Sequence, residues 1–271
     1  MSSIFHGPDF LTVSFERADY AVACCFETDL FIQNGEHART SRLPCPALPN
    51  ESLACPLGEH PRGFADLQHK LHLSNEAAII LDDVRFLTFS ITSTGTSACL
   101  PAKIRSTASW IHKRIQDLDV TMPHITDGID KYSQVSKEEA IVTATIRLAA
   151  LVYTDAVMSA RPISHVKDDN TTKTLCDNLR AVSSDRWKKI PGIFLWLLVV
   201  ATPQIPDKNR GDWRVDVEKD LRNKYLRRKM ATAAQVIGQE EFNLSIWYLR
   251  SFWVVQRWIV DQRESKTEEF S

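Results

Sequence analysis

The chain reads as an all-α protein, a multi-helix bundle of about seven or more helices behind a short irregular N-terminal arm. Three observations predict this. From residue 63 onward, apolar residues recur at three- and four-residue steps. Strand-like alternation is confined to Leu11, Val13 and Phe15, set between Thr12 and Ser14. Glycine supplies only 9 of 271 residues, about half its usual share, which disfavours a fold built on many tight turns.

The elements follow in order. Residues 1–62 form an N-terminal arm and Pro-rich linker. Half of the 12 prolines lie there: Pro8, Pro44, Pro46, Pro49, Pro56 and Pro61. With Asn34, Gly35, Asn50 and Gly58, they mark residues 33–62 as irregular. Leu11–Phe15 suggests a short strand, and Ala18–Ile32 reads equally as helix. Residues 63–260 form the helical domain. Leu73, Ala77, Ile80, Leu81, Val84, Leu87 and Ile91 make its first apolar stripe. Ile104, Ala108, Ile111, Ile115 and Leu118 make the second, with Pro101 in the first turn, where a missing N–H costs little.

A third helix is expected to open on a capping box, Ser136-Lys137-Glu138-Glu139, and to run to the neighbourhood of Pro162. Leu175, Leu179 and Val182 define a shorter fourth helix, with Asp168-Asp169-Asn170 as its loop and N-cap. The fifth starts at Pro191 and is apolar all round through Ile193–Ala201, which places it at the centre. Nine residues are too few to span a bilayer, which takes about 20 in a helix, so no membrane partner is expected. The sixth helix is expected from Asp212 to Ile237, stopped by Gly238. The seventh is expected from an N-cap at Asn243 through Trp247, Phe252, Val254 and Trp258. Residues 261–271 form an acidic C-terminal tail expected to fray.

Composition excludes some functions. Lys and Arg number 33 against 34 Asp and Glu, a net charge of -1. Such balance is not that of a chain whose bulk charge serves nucleic acid. A 44% apolar content excludes a disordered chain. The N-terminus shows no basic start followed by an apolar core. Cys24, Cys25, Cys45, Cys55, Cys99 and Cys176 are therefore expected as reduced thiols, the Cys24-Cys25 pair as buried filler.

No motif specifies chemistry, so no catalytic, cofactor-binding or metal residue is assigned. The glycines form neither of the two common phosphate loops, and no nucleophile elbow occurs. Cys45, Cys55, His60, His69 and His72 cluster in sequence, but only His69 and His72 have the short spacing of a chelating pair. Asp82-Asp83 faintly echoes the aspartate-rich motif of terpene synthases. Adjacent residues diverge by about 100 degrees on a helix, and Phe86 stands where a third carboxylate belongs. Asp82 and Asp83 are therefore read as the solvated face of an amphipathic helix, with a metal-holding aspartate motif as the alternative.

Lys219, Arg222, Lys224, Arg227, Arg228 and Lys229 form a basic run. It reads either as an import signal or nucleic-acid contact, or as a solvated helix face with Leu221, Tyr225 and Leu226 turned inward. Six of seven tryptophans lie between Trp187 and Trp258. They are read as core, with a ligand pocket as the alternative.

The order of landmarks in the second half resembles a known group. Ile146-Arg147-Leu148-Ala149-Ala150-Leu151-Val152-Tyr153 is followed by Trp187, Pro191-Gly192 and Phe194-Leu195-Trp196-Leu197-Leu198-Val199. Then come Arg210, Trp213, Ile237-Gly238 and Tyr248-Leu249-Arg250-Ser251-Phe252-Trp253-Val254-Val255. With Gly63-Phe64-Ala65-Asp66-Leu67 and Leu73-Ser74 upstream, this is similar to the C-terminal helical regulatory domain of fungal-specific transcription factors. The likeness covers residues 63–260. It implies transcription regulation through protein–protein contacts, a nuclear location with cytoplasm as the alternative, and control of a metabolic or secondary-metabolite gene set. The family's binuclear zinc cluster opens with two cysteines two residues apart, and no such spacing occurs here. No DNA-contact residue is therefore carried over, and the resemblance names no effector. A second expectation is an all-α enzyme acting on a small apolar or isoprenoid substrate, suggested by the tryptophans and Asp82-Asp83.

Overall fold

The computed structural model describes residues 10–32, 46–93, 100–118, 131–203 and 217–268. Among these residues there are eleven α-helices, one 3-10 turn and no strand. The helices are α1 (Phe10–Phe26), α2 (Phe64–Leu71), α3 (Asn75–Thr92), α4 (Pro101–Asp117), α5 (Lys131–Ser159) and α6 (Ile163–Val166). They continue as α7 (Asp169–Ala181), α8 (Ser184–Lys188), α9 (Pro191–Ala201), α10 (Val217–Glu240) and α11 (Phe242–Glu268).

The expected stripes are the buried faces. Ala77, Ile80, Leu81, Val84, Leu87 and Ile91 of α3 are buried, as are Ile104, Ala108, Ile111 and Ile115 of α4. Ser74 caps α3 through the Ala77 amide at 3.1 Å, and Asp168 caps α7 through the Thr171 amide at 2.6 Å. Pro101 and Pro191 each sit in a first helical turn. Every residue of α9 is buried. It is the central helix, packed on α5 and α10 and against the turn at Glu51–Leu53.

Helix α5 is long and apolar enough to cross a membrane, with a mean hydropathy of 1.5 over its best stretch in Lys137–Ser159. More than half of that stretch is buried inside the protein, and α3, α4, α7 and α9 surround it.

Several local expectations give way to tertiary contacts. Residues 10–26 are helical rather than a strand, and α1 packs along α11. Tyr20, Ala23, Cys24, Leu53, Ala54 and Leu57 belong to the same core as the helices beyond residue 63. Ser136 does not open α5, which already begins at Lys131. The carboxylate of Glu138 instead accepts the Ser183 amide at 3.1 Å, ahead of α8. Gly238 does not stop α10, which runs on to Glu240. Its missing Cβ leaves room for the Arg17 guanidinium, which would lie 2.6 Å from such an atom. Asn243 lies inside α11, and its amide donates to the Glu241 carboxylate that precedes the helix. The tail stays helical to Glu268. The segment 212–216, expected to open the sixth helix, lies outside the described residues.

Candidate functional site

Two landmark residues of the second half, Gly192 of α9 and Tyr248 of α11, meet at the Leu53 carbonyl. Gly192 lies against the turn before α2. A Cβ there would stand 2.2 Å from the Leu53 carbonyl oxygen and 2.4 Å from that of Ala54, so only glycine permits this approach. Tyr248 of α11 reaches the same place, its hydroxyl donating to the Leu53 carbonyl at 3.0 Å. Trp187 stacks on Phe194 with ring centroids 4.7 Å apart, and its indole N–H donates to the Leu179 carbonyl at 3.1 Å. Tyr153 lies 6.4 Å from Phe252 in a stacked arrangement. The single Thr88 hydroxyl proton goes to the Val84 carbonyl, so Tyr153 is the donor in its 2.8 Å bond to Thr88. Arg210 and Trp213 lie outside the described residues.

Trp196 and Trp253 are fully buried and Trp187 nearly so, while Trp247 and Trp258 are partly buried against the core. The core reading of these tryptophans therefore holds. Trp110, the tryptophan outside that group, is 60% exposed. It lines a shallow recess of about 440 Å³ with Lys113, Arg114, Asp117 and Leu118. The Arg114 guanidinium lies 5.3 Å from the Trp110 ring.

Asp82 and Asp83 turn to different neighbours. The Asp82 carboxylate accepts the amides of Phe64 at 2.9 Å and Ala65 at 3.0 Å, capping α2 from outside, and pairs with Arg85. Asp83 pairs with Arg114 of α4 at 3.3 Å. Burial raises the Asp83 carboxyl above its usual range, with Arg114 opposing. The pair does not converge on a shared point, and neither carboxylate rests on an idle solvated face. One turn beyond Asp83 stands Phe86 and one turn before Arg114 stands Trp110. Both are exposed, as is Phe89. The apolar stripes of the two helices pass these aromatics by: Phe86 falls between Val84 and Leu87, Phe89 between Leu87 and Ile91, and Trp110 between Ala108 and Ile111.

The other candidates separate as well. Cys45 and Cys99 lie outside the described residues. Cys55 is buried. His60 donates from Nδ1 to the Arg62 carbonyl at 2.6 Å and packs edge-on against Phe64. Burial lowers its pKa, and the nearby Arg85 adds to that. His72 leaves the helix with φ 50°, its backbone carbonyl taken by Arg186 at 2.7 Å, so it does not share a regular turn with His69. Among the described residues no group of three His, Cys, Asp or Glu is arranged to hold a metal.

Burial raises the Cys24 thiol well above its usual value and pushes Cys25 up to about 12, which keeps both protonated and unreactive.

The basic run is helical and mostly engaged. Arg222 is buried against Glu218, Lys224 pairs with Asp220 at 2.7 Å, and Lys219 pairs with Asp169 at 3.2 Å. Arg227 lies over Phe26 and Lys229 over Tyr225. Leu226 is buried and Tyr225 partly so, but Leu221, expected inward, is 58% exposed.

Two polar contacts had no sequence signal. Glu27, itself at φ 52°, accepts the amide of Ile163 at 2.7 Å and the hydroxyl of Ser164. Lys167 donates from Nζ to the carbonyls of Val200 and Ala201, closing the C-terminus of α9. Both bonds join segments more than thirty residues apart.

The chain matches no protein-family model, no curated protein and no solved structure.

Proposed function

We propose that the chain is a transcription regulator-like helical domain of the fungal type, working through protein–protein contacts without a zinc-cluster DNA reader of its own. The observation that carries this reading is the burial of the landmark residues: Tyr153, Trp187, Gly192, Phe194 and Tyr248, spread over nearly 100 positions, are all buried, and Gly192 and Tyr248 meet at the Leu53 carbonyl. Landmarks of a shared scaffold behave in this way, whereas those of a catalytic site would line a cavity. The exposed aromatics Phe86, Phe89 and Trp110, with Arg114 beside them, supply a face for a protein partner. Its site would be the nucleus and its targets a metabolic or secondary-metabolite gene set. The isoprenoid-enzyme alternative draws no support from Asp82 and Asp83, which bind separate helices.

Imaging of the tagged full-length protein in a fungal host, together with a reporter assay in which the chain is tethered to a heterologous DNA-binding domain, tests the reading. Nuclear signal and altered reporter output are expected. Nuclear exclusion under every growth condition, with an unchanged reporter, overturns it.

A further inference from the structure

Among the described residues, one apolar face of the N-terminal helix is left uncovered. Tyr20, Ala23, Cys24 and Cys25 are buried against the body, whereas Phe15, Ala18, Val22 and Phe26 are exposed. Their spacing of three, four and four residues sets them on one line along α1. Phe31, 94% exposed, and Ile32 extend the apolar surface beyond the helix end. Single exposed apolar residues are ordinary, but a continuous stripe marks a contact face.

The neighbouring helix shows what covers it. Phe26 lies beside Arg227, and Arg17 lies beside Gly238, so α1 and α10 run antiparallel. From Met230 to Gln239, α10 carries no charged residue, and its exposed positions there are Ala231, Thr232, Gln235 and Gln239. Charge gathers at the two ends. Arg227 and Arg228 stand at the Phe26 end; Glu16, Glu240 and Glu241 stand at the Phe15 end. Lys224 is paired with Asp220 and Asp29 with Arg257, while Arg17, over Gly238, stands among the three carboxylates of the acidic end, which stays net negative. The face is therefore apolar and neutral in the middle, basic at one end and acidic at the other.

We infer that this face pairs with the same face of a second copy of the chain, the two α1 helices running antiparallel about a two-fold axis between Ala18 and Val22. That arrangement sets Phe15 of one copy against Phe26 of the other. It also sets Arg227 and Arg228 of each copy against Glu240 of its partner. A parallel pairing would place like charge on like charge at both ends. The surface is its own complement, which an unrelated partner would not require. The inference stands on the surface alone and does not depend on the regulatory reading.

Sedimentation velocity of the full chain across a micromolar concentration series tests it. A reversible monomer–dimer equilibrium is expected. Val22→Glu, at an exposed position, buries an unpaired charge in the dimer and should weaken it about a hundredfold. Its circular dichroism and melting temperature should stay those of the unchanged chain. Arg228→Glu alone and Glu240→Lys alone should each weaken self-association, and an equimolar mixture of the two should restore a dimer. A chain that stays monomeric throughout overturns the inference. So does a dimer indifferent to Val22→Glu, or a mixture that associates no better than either variant alone.

Discussion

The Tyr248 hydroxyl donates to the Leu53 carbonyl at 3.0 Å, joining α11 to the turn 195 positions earlier. The same carbonyl lies where a Cβ on Gly192 would fall. One backbone oxygen therefore fixes the depth at which the N-terminal segment sits against α9, through a donor on one side and a missing side chain on the other. Tyr248→Phe leaves that buried acceptor short of its partner and should cost about 1–2 kcal/mol. Gly192→Ala should cost more, above about 2 kcal/mol, even though alanine favours helix by about 1 kcal/mol. Urea unfolding of the two variants checks the order. If Gly192→Ala proves neutral or stabilising, the close packing of the turn on α9 is wrong.

Asp82 should matter as a cap. Asp82→Ala removes the acceptor for two first-turn amides of α2 and should lower stability by about 1–2 kcal/mol. Magnesium with a prenyl diphosphate should leave the melting temperature of the unaltered chain where it is. A melting shift that disappears in Asp82→Ala would return the residue to metal–diphosphate chemistry.

Glu27 should act as a tie between distant segments. Its carboxylate holds the Ile163 amide and the Ser164 hydroxyl 136 and 137 positions away. Glu27→Ala should destabilise by about 1–3 kcal/mol. Hydrogen exchange should show the amides of Ile163 and Ser164 losing protection ahead of those in α9. Unchanged exchange at those two amides would contradict the tie.

Lys167 should make stability depend on pH. Burial beneath the end of α9 holds its ammonium down to about 7, against an ordinary 10.5. The residue as a whole is half-buried, but the charged end is the part packed against the Val200 and Ala201 carbonyls. Between pH 7 and 10.5 the unfolded chain keeps a proton that the folded chain has released. Stability contributed by this group therefore rises with pH across that window, and below it the full cost of burying the charge is present. Lys167→Met removes the dependence. The unfolding free energy of the unaltered chain minus that of Lys167→Met should climb through the window in parallel urea titrations. A flat difference would show that Lys167 does not bury its charge.

The chain's own pattern was enough for its architecture. Leu87 and Ile91, Ile111 and Ile115, and the unbroken run Ile193–Ala201 announce their helices because burial of an apolar face follows a 3.6-residue period that is written locally. The short helices α6 and α8 carry too few residues for a period to show, and α1 was ambiguous because its exposed face is apolar too. Capping was legible where the partner was local, as at Asp168. It was not legible at Ser136, where α5 starts earlier and Glu138 turns to Ser183.

The candidate residues divide along the same line. Residue types and spacing were sufficient to raise Asp82, Asp83, His69 and His72, and adjacency alone already argued against Asp82 and Asp83 sharing a ligand. Which neighbour each one meets was settled by the tertiary structure. Asp82 caps α2 and Asp83 holds Arg114, since those groups come within reach only once helices pack. The sequence by itself determined an all-helical chain with α9 at its centre, because periodicity is a local property. Tertiary structure decided which apolar face of α1 stays outside, because Phe15, Ala18 and Val22 recur with the same helical spacing as Tyr20, Ala23 and Cys24, and among the described residues only the side that packs on α11 is covered.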